Sequence, residues 1–497
     1  MMKATCVLLC CSLHFGFSVA NVFDGSRWFD TAARHAPDDF DISTQLTAFD
    51  AVEIGNPSFG YSTSCSGDTI VVGAYEGGIG TSSAGSAYVF EKIGGKWIKA
   101  AKLFASDDDD DDDDDDVEGN SFGHSVSVAG DIIVVSAHVD NLMYGNDGSD
   151  GGYGPATIIG STYVFEKSGG AWTQTANLIA SDAATYDCFG HSVSTSGAIV
   201  VIGTIYGGDN DVQSGSAYVF ALSVGAWTQT AKLVASDAAA FDYFGHSVSA
   251  SDTTVVIGAT YSGDVDAQSG SAYVFDLSGS AWTQTAKLVA SDASAFEYFG
   301  TSVSNSGGII VVGSLSDDND NGAYATGSAY IFEKSGSAWI QTAKLVASDA
   351  TEYAFFGHSV STSGGSVVVG ATGSGPSGRD YGSGSAYFFT EGEGHWTQTA
   401  KLVASNPREY VNFGNSVSIS DGTVVVGAYC HEDHLESADD DRYSYGGSYD
   451  ISYSDDDWLG GSFPDANAQS GSAYVFDVPS FSTPAQTPLL LGLRHRR

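Results

Sequence analysis

The stretch FGHSVSTSGAIVVIGT, residues 189–204, returns almost unchanged as FGHSVSASDTTVVIGAT from Phe244. Phe-Gly stands in the same context at Phe59, Phe122, Phe189, Phe244, Phe299, Phe356 and Phe413, at intervals of 63, 67, 55, 55, 57 and 57 residues. A recurring period of this size marks a repeat architecture, each copy being one supersecondary unit that cannot bury its apolar face alone. A Val/Ile run such as IIVVGSL follows each Phe-Gly. Next comes a form of GSAYVF, ending at Phe90, Phe165, Phe220, Phe275, Phe332, Phe389 and Phe476. Six units add a relative of AWTQTAKLVASD, with Trp97, Trp172, Trp227, Trp282, Trp339 and Trp396. Every piece is short, β-branched or aromatic, and bounded by Gly, Ser or Asp, which reads as a strand. Helical periodicity is absent.

Seven units of four strands predict an all-β, seven-bladed β-propeller of four-stranded antiparallel blades. In FGHSVS the large Phe189 and Val193 alternate with Gly190, Ser192 and Ser194, so each blade offers a large face and a small one. Adjacent blades interlock on such faces at interior packing density. The Trp of the fourth strand is expected to fill the wider outer gap. An open β-solenoid is the alternative, but its repeats are shorter and it has no reason to stop at seven. Closure decides between them. The seventh unit ends at GSAYVFDVPS with no Trp strand, whereas the chain opens with FDISTQLTAFDA, residues 40–51. Aligned with WTQTAKLVASDA, Phe40 takes the Trp place, Leu46 matches Leu233 and Asp50 matches Asp237. An N-terminal strand is therefore expected to complete the last blade and leave no interior edge open.

Across 497 residues, 61 acidic against 19 basic side chains give a formal net charge of −42. Nucleic acid and anionic membranes need clustered Lys/Arg, so neither is an expected partner. An extracellular protein or glycan is, with the chain as a monomer. Hydrophobic residues make up 42% of the chain and recur in register, which separates it from acidic disordered sequences. The opening MMKATCVLLCCSLHFGFSVANVF reads as a secretory signal cleaved after Ala20. Secretion or display at the cell surface follows. The expected organisation is a signal peptide over 1–20, a linker over 21–39, the propeller over 40–478 and a flexible tail over 479–497. Cys65, Cys188 and Cys430 would remain, an odd number without framework spacing.

A Phe-Gly opening, a VVGA strand and a GSAYVF strand, repeated seven times, resemble the FG-GAP repeat of the integrin α-chain propeller and of many secreted proteins. The resemblance covers about residues 40–478. It implies an extracellular propeller that binds proteins or glycans, sometimes with calcium. The family's calcium loop, Asp-x-Asp-x-Asp-Gly-x-x-Asp between the first two strands, is replaced here by STSGAI, SASDTT and SNSGGI, with at most one carboxylate each. Nothing resembling the segments that follow the propeller of an integrin α-subunit is expected after the ring.

Strand direction sorts the connections. Those between the second and third strands, and between one blade's fourth strand and the next blade's first, must emerge at one end. That end holds the unusual sequence: the Asp107–Asp116 run, YGGDNDVQ, YSGDVDAQ, SDDNDNGAYAT and the segment from Tyr429 to Gln469. Long loops on a rigid scaffold commonly carry function. Carboxylates in the Asp run at ~7 Å repel by roughly 0.6 kcal/mol per pair in water, so the run reads as a solvated loop in preference to a cation sponge or a dock for a basic partner. Asp317, Asn319 and Asn321 alternate before Gly322 like the first half of a calcium loop, but Ser328 stands where the closing acid belongs. They are the candidate metal residues, Ca2+ the candidate ion, and no cofactor is required. The 429–469 insertion offers Tyr443, Tyr445, Tyr449, Tyr453, Asp455 and Trp458 as candidate ligand contacts, aromatics beside carboxylates. Its Cys430, His431 and His434 could begin a zinc site but lack an evident fourth ligand.

His124, His191, His246 and His358 each follow Phe-Gly, where the other units have Tyr61, Thr301 and Asn415. A ring of metal ligands at the axis is one reading; alternation favours packing between blades. No Gly-x-Ser-x-Gly stands at a strand-to-helix turn. Loop carboxylates are expected to be hydrated, so raised pKa values are not expected there. The expectation is a non-catalytic adhesion or binding module presenting an acidic loop face. A propeller hydrolase of glycans or phosphoesters and a calcium-sequestering matrix protein are the alternatives.

Overall fold

The computed structural model describes residues 42–48, 58–75, 85–105, 121–138, 160–184, 187–208, 213–263, 267–318, 323–374, 382–405, 407, 411–430 and 471–478. Seven four-stranded antiparallel sheets make up the described residues. Six are continuous in sequence, over residues 62–103, 122–178, 189–233, 244–288, 299–345 and 356–402. These are blades 1 to 6. Blade 3 shows the pattern: Phe189–Thr195, Ile199–Thr204, Ser216–Ser223 and Ala226–Leu233, paired in that order. Among the described residues no helix is long and apolar enough to cross a membrane.

Blade 7 joins the chain ends as expected. Its strands Val411–Ser420, Thr423–Cys430 and Ser472–Asp477 receive Ile42–Leu46 as the fourth. Leu46 lies opposite Ala473 just as Leu233 lies opposite Ala217, the register predicted from the alignment. Phe40 and Asp50, the other two aligned positions, lie outside the described residues.

The core lies between blades. In Ile199–Thr204, Val200 and Ile202 pack towards blade 2 with Val134, Val164 and Leu178, while Ile199 and Val201 pack towards blade 4 with Phe244, Val255 and Ile257. That is strand alternation used on both faces, which is why the run is apolar throughout. One such cluster fills each of the seven interfaces. The Phe of each Phe-Gly is buried against the aromatics of its own third strand; Phe189 lies tilted on Tyr218 and edge-on to Phe220, at 5.7 and 6.4 Å. Burying one such ring contributes roughly 1.5–3 kcal/mol. The fourth-strand Trp residues are only half-buried at the outer rim, packed on the same clusters.

The Gly after Phe is required twice over. At Gly245 φ is +96°, and an added Cβ would meet the Ser216 carbonyl oxygen of the preceding blade at 2.5 Å. The strand registers shift at this point, between Phe244 and Ser247, so strict alternation stops just where the next residue is aimed.

Serine supplies the polar half of each interface. The second Ser of each Phe-Gly-x-Ser-x-Ser accepts a backbone N–H from the next blade. Ser64 accepts from Val128, Ser127 from Thr195, Ser194 from Ala250, Ser249 from Asn305 and Ser304 from Thr362, each at 3.0 Å. Ser361 accepts from Ile419 at 3.1 Å, and Ser418 from Cys65 at 3.0 Å, which carries the set across the seam between blades 7 and 1. The first Ser donates to the carbonyl of the next Phe-Gly glycine, as Ser247 does to Gly300 at 2.8 Å.

Loop-bearing end and axial histidine cluster

Antiparallel order puts the second-to-third connections and the blade-to-blade connections at one end. Most of the 61 acidic residues fall in these connections, joined among basic residues by Arg379, Arg408 and Arg442 alone. A lattice at this end explains why AWTQTAKLVASD recurs. The Lys of one blade's fourth strand reaches the Asp that ends the preceding unit: Lys232 to Asp182 at 2.7 Å, and Lys287 to Asp237, Lys344 to Asp292 and Lys401 to Asp349 at 2.6 Å. Gln229, Gln284, Gln341 and Gln398 accept the neighbouring Ser backbone N–H at 2.9 Å. Burial alone would raise the four Asp pKa values, but the hydrogen bond and charge of each Lys outweigh it and hold them below the usual range.

Among the described loop acids, raised pKa values nevertheless occur at three positions. Asp187, Asp242 and Glu297 fold inward and accept the backbone N–H of the residue three earlier, Ala184, Ala239 and Ser294, at 2.9, 2.7 and 2.8 Å. Burial pushes all three up, against the lowering effect of those bonds. They terminate their own turns.

Of the candidate metal residues, Asp317 is described and is 2% exposed. Its carboxylate accepts from the Tyr330 hydroxyl at 2.6 Å and pairs with the Lys344 ammonium at 2.8 Å. Both contacts fall on Oδ2, so that oxygen already faces a cation the chain supplies. Asn319, Asn321, Tyr443, Tyr445, Tyr449, Tyr453, Asp455 and Trp458 lie outside the described residues, as does the Asp107–Asp116 run.

The innermost strands bring the residues after Phe-Gly together around the axis. Tyr61 and His124 meet at 3.4 Å between hydroxyl and Nε2; the His124 and His191 rings lie 5.5 Å apart, and those of His191 and His246 lie 5.0 Å apart. His246 Nδ1 lies 3.2 Å from the Thr301 carbonyl. His358 Nε2 lies 3.1 Å from Asn415 Oδ1, and Asn415 donates to the Tyr61 carbonyl at 2.8 Å. These positions therefore pack between blades, and they do so at the axis. His138 joins them from the end of a second strand. Its ring lies 4.8 Å from that of His124 and 5.3 Å from that of His191. One ligand atom from each of His124, His138 and His191 lies within 4.8 Å of the others. Burial lowers His138 to about 4 and, helped by the surrounding histidines, takes His191 well below its usual value, so both are neutral at pH 7. Cys65, buried across the seam beside Ser418, is a free thiol that burial pushes up to about 12.

The family model for FG-GAP repeats matches residues 43–90, 172–220, 227–275, 282–332, 339–389 and 396–449. Most of these matches begin in an outer strand and end at the GSAYVF strand of the following blade. The family unit is thus offset from the blade by one strand, the same offset that lets residues 42–46 close the ring. The segment from Trp97 to Phe165, which contains most of blade 2, is not among the matched ranges. No curated protein matches the chain.

Proposed function

The chain belongs to the FG-GAP repeat family, and from that premise we propose that it is a secreted or cell-surface binding module without catalytic activity, presenting the acidic loop-bearing end of its propeller to a protein or glycan. The observation that carries this is the separation of roles along each blade. One end has tight turns such as EKSGGAW; the other gathers the long connections and most of the carboxylates. Rigid blades with variable, charged connections at one end suit recognition, because binding then costs the scaffold little ordering. Calcium is an accessory in this reading, a counter-ion for carboxylates such as those of the Asp107–Asp116 run.

The test uses the full chain expressed with its own N-terminus. N-terminal sequencing of secreted material should begin at Asn21. The purified protein is then applied to a glycan array and to immobilised lysozyme as a cationic protein probe, over a range of salt. Specific retention, weakened when Asp107–Asp116 is replaced by Ser/Gly with the β-sheet circular dichroism unchanged, supports the proposal. Retention indifferent to salt and to that replacement contradicts an acidic binding face.

A further inference from the structure

Blade 2 departs from the repeat at three places that converge on its contact with blade 3. Where other second strands have Gly, it has Ser136; where other third strands begin Ser-Ala, it has Ser161-Thr162; and where Tyr75, Ile205, Thr260, Leu315, Thr372 and Tyr429 end the second strand, it has His138. The first change has a direct cost. A Cβ at the matching Gly203 or Gly258 would lie 2.0 Å from the carbonyl oxygen of the next Phe-Gly glycine. Ser136 carries that Cβ, so the Gly190 backbone stands back. An ideal Cβ on Gly190 lies 3.3 Å from the Ser161 oxygen, against 2.2–2.5 Å at the corresponding place in the other six interfaces. The donor bond of the first serine changes too. Ser136 Oγ bonds the Ser125 backbone, and Ser125 Oγ accepts the Val193 N–H at 3.1 Å, where Ser192 and Ser247 donate to the next glycine.

The contact with the altered serine latch is the one that holds three imidazoles. The geometry points to a metal site here: His124 and His138 of blade 2 and His191 of blade 3 bind one borderline divalent transition-metal ion of the zinc class, with the fourth position left to water in the axis. A tetrahedral ion at ~2.0–2.1 Å from each nitrogen needs nitrogens ~3.4 Å apart. The three ligand atoms lie within 4.8 Å of one another and must close to that spacing for all three to bind. Among the described residues Nδ1 of His191 is buried without a hydrogen-bond partner, an unmet demand that a ligand bond or a proton partner would satisfy. Among the described residues no carboxylate belongs to the cluster, and three imidazole nitrogens suit Zn2+, Co2+ or Cu2+ and not Ca2+. Bound there, the ion clamps blade 2 to blade 3 in place of the missing Ser-to-carbonyl bond.

The experiment titrates Co2+, then competing Zn2+, into chelator-stripped full-length protein, reading visible d–d bands and bound metal by mass spectrometry. His138→Thr and His191→Thr test the site, and both should fold, because Thr260 and Thr301 occupy the same positions in blades 4 and 5. His358→Thr, on the other side of the axis, is the control. One tightly held equivalent with tetrahedral bands is expected. Both test variants should lose about 100-fold or more in affinity, since removing even an outer partner of a ligand costs 10–100-fold, and the control should lose none. Absence of binding by the folded wild type at pH 7.5 overturns the proposal. So does binding that survives both test variants and disappears in His431→Ala, which would place the ion in the 429–469 insertion.

Discussion

Gly258→Ala should be costly for a reason that belongs to the interface and not to strand propensity. Gly258 has no unusual φ, and Ala is an ordinary residue in a strand. The added methyl would nevertheless sit 2.0 Å from the Gly300 carbonyl oxygen and 2.4 Å from Ser247 Oγ. Those two atoms form the 2.8 Å bond from blade 4 to blade 5, so the methyl must break or stretch that bond and push the next Phe-Gly outward. Losing the bond costs about 1 kcal/mol. Overpacking a close-packed contact adds about 1–3 kcal/mol, for a total of about 2–4 kcal/mol. Gly392→Ala is the matched comparison: it lies at the end of a third strand, without positive φ and with nothing within 4 Å of the added carbon. It should be neutral or stabilise by up to about 1 kcal/mol through the unfolded chain. Urea unfolding read by tryptophan fluorescence, with midpoints compared at equal slope, measures both. If Gly258→Ala falls within about 0.5 kcal/mol of the parent, the close inter-blade approach does not exist in solution.

The Lys-Asp lattice gives a pH prediction. Asp237 is held below its usual range, so its pairing with Lys287 stabilises the fold above the unfolded carboxyl pKa, near 3.9, and is lost as pH falls through the lower folded value. Because Asp237 is 40% exposed, a double-mutant cycle of Asp237→Asn with Lys287→Met should give a coupling under ~1 kcal/mol at pH 7 that shrinks as pH falls through the lowered carboxyl pKa. Trp282→Ala should cost about 1–3 kcal/mol in chemical denaturation, below the ~3–5 kcal/mol of a fully buried Trp, because the residue is only partly buried against its cluster. A loss above about 4 kcal/mol would mean that the outer gap is closed more tightly than the structure shows.

Strand identity, blade number and ring closure were legible because period-2 alternation and a seven-fold repeat both carry them, and the Leu46 register followed from matching one unit to another. The serine latches were visible as a repeated SVS but not as bonds. Ser194 and Ala250 are 56 residues apart, and nothing local says which backbone N–H a hydroxyl will meet. Similarly, a single His138 at a strand end carries no sign of His191, which belongs to another blade. The spacing of Asp317 is local and visible, whereas Tyr330 and Lys344, which contact its Oδ2, come from the third and fourth strands and could not be read beside it. The inward turn of Asp242 and Glu297 was illegible for the same reason as the latches: an acid in a polar loop looks hydrated until its backbone partner is placed.

Both the loop-bearing end and the axial cluster require that the ring close between blades 7 and 1. Lys92 and Asp477 span that seam at 3.0 Å, 385 residues apart in sequence. A zero-length carbodiimide joins an amine only to a carboxylate it already touches, so treatment of the monomer followed by peptide mass spectrometry reads the seam directly. Lys167 with Glu91, paired at 2.9 Å between blades 2 and 1, is the internal standard. A closed seven-bladed ring predicts a Lys92–Asp477 link in the monomer band at a yield like that of the standard. A monomer that yields Lys167–Glu91 but no Lys92–Asp477 would contradict closure.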